Sequence, residues 1–106
     1  MPKYLIQAVY TADGAKGLLD KGGTARRKAT EAAAKSVGGS VDQFYFAFGE
    51  TDVITILDLP DHASAAALAL TVSSSGGVET TTTVLLTPEE LDAASKKSAE
   101  YRSPGG

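Results

Sequence analysis

Two adjacent strand-like segments limit the possible folds of this chain more than any other feature does. The segment 44–54 reads FYFAFGETDVI, which predicts two β-strands joined by a short turn at residues 49–52. Both strands are apolar on both faces, whereas a strand with one solvent-facing side alternates apolar and polar residues. A large apolar patch on a soluble protein marks an interface. The hairpin therefore predicts a sheet covered by helices on one face and by a second copy of the chain on the other.

Composition excludes several classes of protein. The 106 residues predict a single domain that spans residues 1–106. The net charge of -3 and the short basic cluster at residues 26–28 argue against a nucleic-acid partner. The absence of cysteine excludes disulfides, thiolate metal sites and cysteine nucleophiles. The longest apolar run, at residues 65–70, is too short to cross a bilayer, and no leader-like segment opens the chain. We therefore expect a soluble, cytoplasmic protein with no membrane partner.

The order of elements indicates the fold class. Strands are predicted at 4–11, 40–48, 52–59 and 78–86, and helices at 24–37, 63–75 and 88–101. A single helical turn is expected around residues 16–19, in a segment broken by glycines, and residues 102–106 should be a flexible tail. This order predicts an α+β, ferredoxin-like βαββαβ fold. Its four-stranded antiparallel sheet would carry two helices on one face, with an extra C-terminal helix.

Three helix starts have recognisable caps. Thr24 and Asp61 are the expected N-caps of the two main helices. Thr87 precedes a proline and is followed at the third helical position by Glu90, which predicts a capping box. In the first main helix, Arg26 lies at the border of a small apolar face and leans toward the sheet. That face consists of Ala25, Ala29, Ala32, Ala33, Ser36 and Val37.

Several motifs together resemble those of the GYD-domain family. They are KGLL at 16–19, GGTARR at 22–27, FYFAFG at 44–49, Asp52, AAALA at 65–69 and LLTPEE at 85–90. The resemblance covers residues 4–91 and departs from the family in its naming motif, where Thr51 stands in place of the tyrosine. It implies a dimeric α+β barrel, in which two sheets meet face to face in a homodimer or higher homo-oligomer. It implies no particular function, and no cofactor is expected.

The anion-binding candidates lie at the start of the first main helix. Backbone amides around Thr24 and the guanidinium of Arg26 could bind a carboxylate or phosphate. The alternative is that Thr24 only caps the helix and Arg26 forms an internal ion pair. Asp52, after the hairpin turn, is either a carboxylate at a pocket mouth or a residue that fixes the turn through backbone amides.

Strand aromatics and the single histidine complete the candidates. Tyr10 and Tyr45, with Gln7 and Thr55, could be the polar groups of an apolar cavity, or the tyrosines could simply pack in a core or interface. His62 could be an axial haem ligand or a general base, although its place in the first turn of a helix favours a solvated residue. One histidine and no cysteine exclude a site built from several imidazoles or thiolates, and no metal is expected.

Three functional hypotheses remain open at this point. The first is a homo-oligomeric small-molecule-binding module, with a small anionic or apolar ligand held between sheet and helices by Arg26. The second, which the resemblance implies, is a cofactor-independent monooxygenase or isomerase of the dimeric α+β barrel type. Such an enzyme would also need a titratable group with a perturbed pKa in the cavity. The third is a purely structural homo-oligomer, which would have a filled core.

Overall fold

The computed structural model describes all residues, 1–106, and contains four strands and four helices. In chain order these are β1 (Lys3–Tyr10), α1 (Ala12–Lys21), α2 (Gly23–Ser36), β2 (Ser40–Phe46), β3 (Val53–Asp58), α3 (His62–Ser74), β4 (Val78–Leu85) and α4 (Pro88–Ser95). The strands form one antiparallel sheet in the order β2-β3-β1-β4. This is the predicted α+β, ferredoxin-like arrangement, which is confirmed. None of the four helices combines the length and the apolar character that crossing a membrane requires.

The core lies between the sheet and the two main helices, α2 and α3. It is densest at one end, where Tyr4, Leu57 and Leu59 are at most 1% exposed. Ala34 of α2, together with Ala65 and Leu68 of α3, packs on these side chains. Buried residues alternate along β1 and β3. The even-numbered residues of β1 and the odd-numbered residues of β3 therefore face the helices.

Helix α1 is longer than the single turn predicted at residues 16–19. Its first turn is capped by Thr11, whose hydroxyl accepts a hydrogen bond from the Gly14 backbone N–H and donates one to the Gly76 carbonyl. Asp13 in the first turn and Lys21 in the last turn suit the helix dipole. These terminal interactions stabilise a ten-residue helix despite its two internal glycines.

The predicted cap of α2 is wrong. Helix α2 begins at Gly23, its N-cap is Gly22, and Thr24 therefore lies inside the first turn. Only Gly22 separates α1 from α2, and its positive φ of 86° produces the sharp change of direction between them. The expected caps Asp61 and Thr87 are confirmed: the Asp61 carboxylate accepts from the Ser64 N–H, and Thr87 forms the complete capping box.

The predicted packing face of α2 is confirmed at Ala33 and Val37 and wrong at its other four positions. The residues that face the sheet are Arg26, Thr30, Ala33, Ala34 and Val37, whereas Ala25, Ala29, Ala32 and Ser36 are exposed. The helix is thus rotated by about one residue, or roughly 100°, from the expected orientation. Alanines occur both in the predicted stripe and beside it, so the apolar pattern defines the buried face only weakly.

Strand β2 contains a bulge that the sequence did not indicate. The pairing with β3 shifts between Val41 and Gln43, which leaves Asp42 as an extra residue. Val41 consequently packs against the core instead of sharing the opposite face with Tyr45. Asp42 joins Asp58 around the Lys3 ammonium, at 3.2 and 2.9 Å respectively.

The C-terminal segment, residues 86–106, leaves the body of the domain. All of its residues are exposed, including Leu86, Leu91 and Tyr101. The radius of gyration is 16.7 Å, compared with about 13 Å for a compact domain of this length. Helix α4 ends at Ser95 and not at residue 101, because no neighbouring element supports further turns and the Ser95 hydroxyl bonds back to the Asp92 carbonyl.

We expect α1 to tolerate a methyl group at one of its glycines and not at the other. A Cβ at Gly14 would collide with the backbone carbonyl of Gly77, whereas a Cβ at Gly17 meets nothing within 4 Å. Gly14→Ala should lower the free energy of unfolding by about 1–3 kcal/mol. The matched control, Gly17→Ala, should raise it by up to about 1 kcal/mol. Chemical denaturation followed by circular dichroism measures both values, and equal effects would contradict the close packing of α1 on the connection from α3 to β4.

Candidate functional site

A cavity, here called the inner cavity, lies between the helix-facing side of the sheet and helices α2 and α3. Its volume is about 60 Å³. Eleven of its fifteen lining residues are hydrophobic, and the other four are Arg26, Thr30, Thr55 and Thr80. A cavity of this volume holds about four water-sized groups. The core is therefore well filled around Tyr4 and incompletely filled beneath the start of α2.

Two hydrogen-bond donors at the inner cavity have no partner within the chain. The hydroxyl of Tyr10 is buried and makes no hydrogen bond. The guanidinium of Arg26 forms none of the three salt bridges in the structure and donates no side-chain hydrogen bond. The internal ion pair considered for Arg26 is therefore wrong. Arg26 is half-buried, whereas the Tyr10 hydroxyl is buried, and native proteins rarely leave buried polar groups unpaired. The cavity is therefore a place for a ligand or ordered water.

The pKa of Tyr10 reports the electrostatics of the cavity. Burial raises the pKa of the Tyr10 phenol above its ordinary value of 10.0, since the charged form is poorly solvated. The positive charge of Arg26 lowers it in part, and the negative charge of Asp52 adds to the increase. Tyr10 is therefore a neutral hydrogen-bond donor near pH 7.

Asp52 holds the backbone of Tyr10 and does not contact the cavity. Its Oδ2 accepts a hydrogen bond from the Tyr10 backbone N–H at 2.9 Å, and its own N–H donates to the Ala8 carbonyl at 2.8 Å. Asp52 does not line the inner cavity. These contacts tie the end of the hairpin to the end of β1, which positions Tyr10.

The other predicted site residues lie elsewhere. Tyr45 is on the opposite side of the sheet and 62% exposed, and Gln7 shares that side. Thr24 lies beside Phe44 and Phe46 in a shallow surface depression at the start of α2. Thr55 does line the inner cavity, where its hydroxyl donates to the Gln43 carbonyl. The structure thus brings together Tyr10 and Arg26, with Asp52 in a supporting position, and separates Thr24 and Tyr45 from them.

His62 is exposed but is held in place by a buried partner. Its Nδ1 is 2.7 Å from the hydroxyl of Tyr4, and the two rings meet edge to face with centroids 5.8 Å apart. The prediction of a solvated His62 is therefore correct for its exposure but omits its contact with Tyr4. His62 does not line the inner cavity, and no group of three or more His, Asp or Glu side chains is placed to hold a metal ion.

Comparison with known proteins identifies the family. A profile of the GYD domain matches residues 4–95, which is most of the chain. This chain belongs to the GYD-domain family. No curated protein and no solved structure matched the chain.

The naming motif of this GYD domain has a structural role. It connects β2 to β3, and Asp52 makes the contacts to β1 described above. Thr51, which stands where the family motif has tyrosine, is half-buried beside it. The motif aspartate therefore needs no phenol at position 51 to reach the backbone of Tyr10.

Sequence reasoning about the GYD domain missed two threonines and a lysine. Thr30 lies one turn after Arg26 and lines the same cavity, and the i, i+4 spacing could have indicated it. Thr80 carries no comparable signal within its run of four threonines. Lys21 borders a second space next to Arg26, and only the packing of α1 against α2 brings them together.

The burial of Tyr10 should make stability depend on alkaline pH. Because its folded-state pKa is raised, the folded state keeps a proton that the unfolded state loses above about pH 10. Stability should therefore fall as pH rises through this range, by at most about 1.4 kcal/mol per pH unit. Denaturation at several alkaline pH values should show a smaller slope for Tyr10→Phe than for the wild type. The matched control is Tyr45→Phe, which removes an exposed phenol; an equal slope change in both variants would contradict the burial of Tyr10.

Proposed function

We propose that this GYD domain is a small-molecule-binding module whose ligand occupies the inner cavity. The observation that carries the proposal is a pair of unpartnered donors beside an apolar space: the buried Tyr10 hydroxyl and the half-buried Arg26 guanidinium. A buried donor without a partner, as at Tyr10, costs about 1–3 kcal/mol. A ligand with a suitable acceptor relieves this cost when it binds.

The chemistry of the donors favours an anionic ligand. Arginine pairs with planar carboxylates through two parallel N–H···O bonds, and a phenol hydroxyl can donate to the same group. The remaining lining is almost entirely apolar, which suits a compact hydrocarbon portion. A small organic carboxylate satisfies both parts of the cavity.

Binding is better supported than catalysis. A cofactor-independent monooxygenase or isomerase would need a group that removes a proton from its substrate. The inner cavity is lined by no Asp, Glu, His or Lys side chain, and the raised pKa of Tyr10 keeps its phenol protonated near pH 7. A purely structural role, the third hypothesis, gives no reason for the unfilled space or for the unpaired donors.

We also propose that the module is a homo-oligomer formed through the open face, the side of the sheet that carries no helix. Leu5, Ile54 and Ile56 lie side by side at its centre and remain half-exposed. Toward one end, Lys3 binds Asp42 and Asp58, whose hydrogen bonds raise the pKa of the lysine ammonium. An apolar centre bordered by polar groups is the pattern of a protein interface, and a second copy related by a two-fold axis presents the same pattern.

The ligand proposal is tested at two adjacent arginines. Arg26→Gln should weaken the binding of a small branched carboxylate, isocaproate, by about 10- to 100-fold, since a hydrogen bond to a charged group contributes about 1.5–3 kcal/mol. Arg27→Gln is the matched control, because Arg27 is exposed and lies near Glu31 on the solvent side. Isothermal titration calorimetry measures both. Equal affinities of the two variants, or no binding of isocaproate by the wild type, would contradict the proposal.

The oligomer proposal is tested by placing charge on the open face. Ile54→Lys combined with Ile56→Lys should convert the assembly to monomers, because like charges would be buried opposite each other across the axis. The matched control is Leu70→Lys, which introduces the same charge on an exposed part of α3. Native mass spectrometry at micromolar concentration gives the subunit number. A monomeric wild type would contradict the proposal.

A further inference from the structure

A second space adjoins the inner cavity and is here called the vestibule. It lies between α1, α2 and the connection from α3 to β4, and its volume is about 230 Å³. Tyr10, Arg26 and Val78 line both spaces. The two unpaired donors therefore stand at the boundary between a small apolar interior and a larger outer space.

The vestibule is lined largely by glycine and alanine, whose small size leaves it open. Its lining includes Gly14, Gly17, Gly22 and Gly77, and a Cβ at Gly17 would meet nothing within 4 Å. Ala25 and Ala29 of α2, which the rotation of that helix removes from the core, form part of the same walls. The exposed alanines of α2 thus leave room beside Arg26 for a ligand.

The charge in the vestibule has a single sign. Lys21 and Arg26 are the only charged residues among the twelve that line it, and neither forms a salt bridge within the chain. Asp52 lines neither space, and its carboxylate accepts a hydrogen bond from the Tyr10 backbone N–H. Two unpaired cations on one open space attract a ligand that carries more than one negative charge.

We infer that the ligand is a small dianion with a short apolar tail. The tail, of about four carbon atoms, fills the inner cavity. The first anionic group binds Tyr10 and Arg26 at the boundary, and the second lies in the vestibule toward Lys21. The reverse orientation would bury a charge among apolar side chains, which is unfavourable. This inference rests on the proposed function and names the class of ligand for the same site.

The test compares two probes that differ by one carboxylate. Isocaproate and isobutylmalonate carry the same isobutyl tail, and only the second is a dianion. The wild type should bind isobutylmalonate about two- to fivefold more tightly at low salt, as expected for one exposed ion pair, and added salt should reduce the difference. Lys21→Gln should make the two affinities equal. Lys16→Gln removes an exposed lysine of the same helix that does not line the vestibule, and it should keep the preference.

A bulkier side chain at position 17 tests the route through the vestibule. Gly17→Leu should abolish the binding of both probes while the Tm stays within a few degrees of the wild type, because the position is open. If isocaproate binds and isobutylmalonate binds no more tightly, or if Lys21→Gln keeps the preference, the dianion inference is wrong and the proposed function stands. If Gly17→Leu binds both probes normally, the ligand does not occupy the vestibule and the inference is also wrong. If neither probe binds the wild type, both proposals fail.

Discussion

The uneven filling of the space between sheet and helices is the constraint on which the rest of this structure depends. At one end, Tyr4 is packed among leucines and its hydroxyl is 2.7 Å from His62. At the other end, the lining of the cavity includes small side chains on the sheet and on both helices: Ala8, Ala33 and Ala69. These alanines leave a space that the larger lining side chains do not fill, so a well-filled core lies beside an incompletely filled one. The inner cavity is the direct result of this difference.

The polar groups of the cavity are held by elements that are well anchored elsewhere. Tyr10 ends β1 and its backbone is bonded to Asp52, which ties the aromatic hairpin to the centre of the sheet. Arg26 lies in the first turn of α2, whose direction is determined by the single residue Gly22 between two helices. A rigid strand end and a rigid helix start therefore face each other across an apolar space. Such pre-organisation favours binding, since the backbone that carries each donor is already in place when a ligand arrives.

Much of the fold could be predicted because it follows from local chemistry. The element order and the caps Asp61 and Thr87 come from alternation, proline and glycine positions, and side chains that bond nearby amides. The extent of α1, the start of α2 and the bulge at Asp42 were not predicted. Each depends on neighbours distant in sequence, as in the contact of Thr11 with Gly76 and the ion pairs of Lys3. Local propensity contains no information about those contacts.

The sequence by itself determined the fold class, the order of elements along the chain and the membership of the GYD-domain family, because hydrophobic periodicity and motifs are properties of the chain itself. The sequence also indicated Arg26 as a ligand-binding candidate, because this residue lies at the border of a face rich in alanine. Only the tertiary structure decided that α2 is rotated by about one residue, that Arg26 has no carboxylate partner, and that Tyr10 faces the same cavity while Tyr45 does not. The physical reason is that a side chain's partners depend on how separate elements cross. That crossing is fixed by the packing of the whole domain and by no single segment of it.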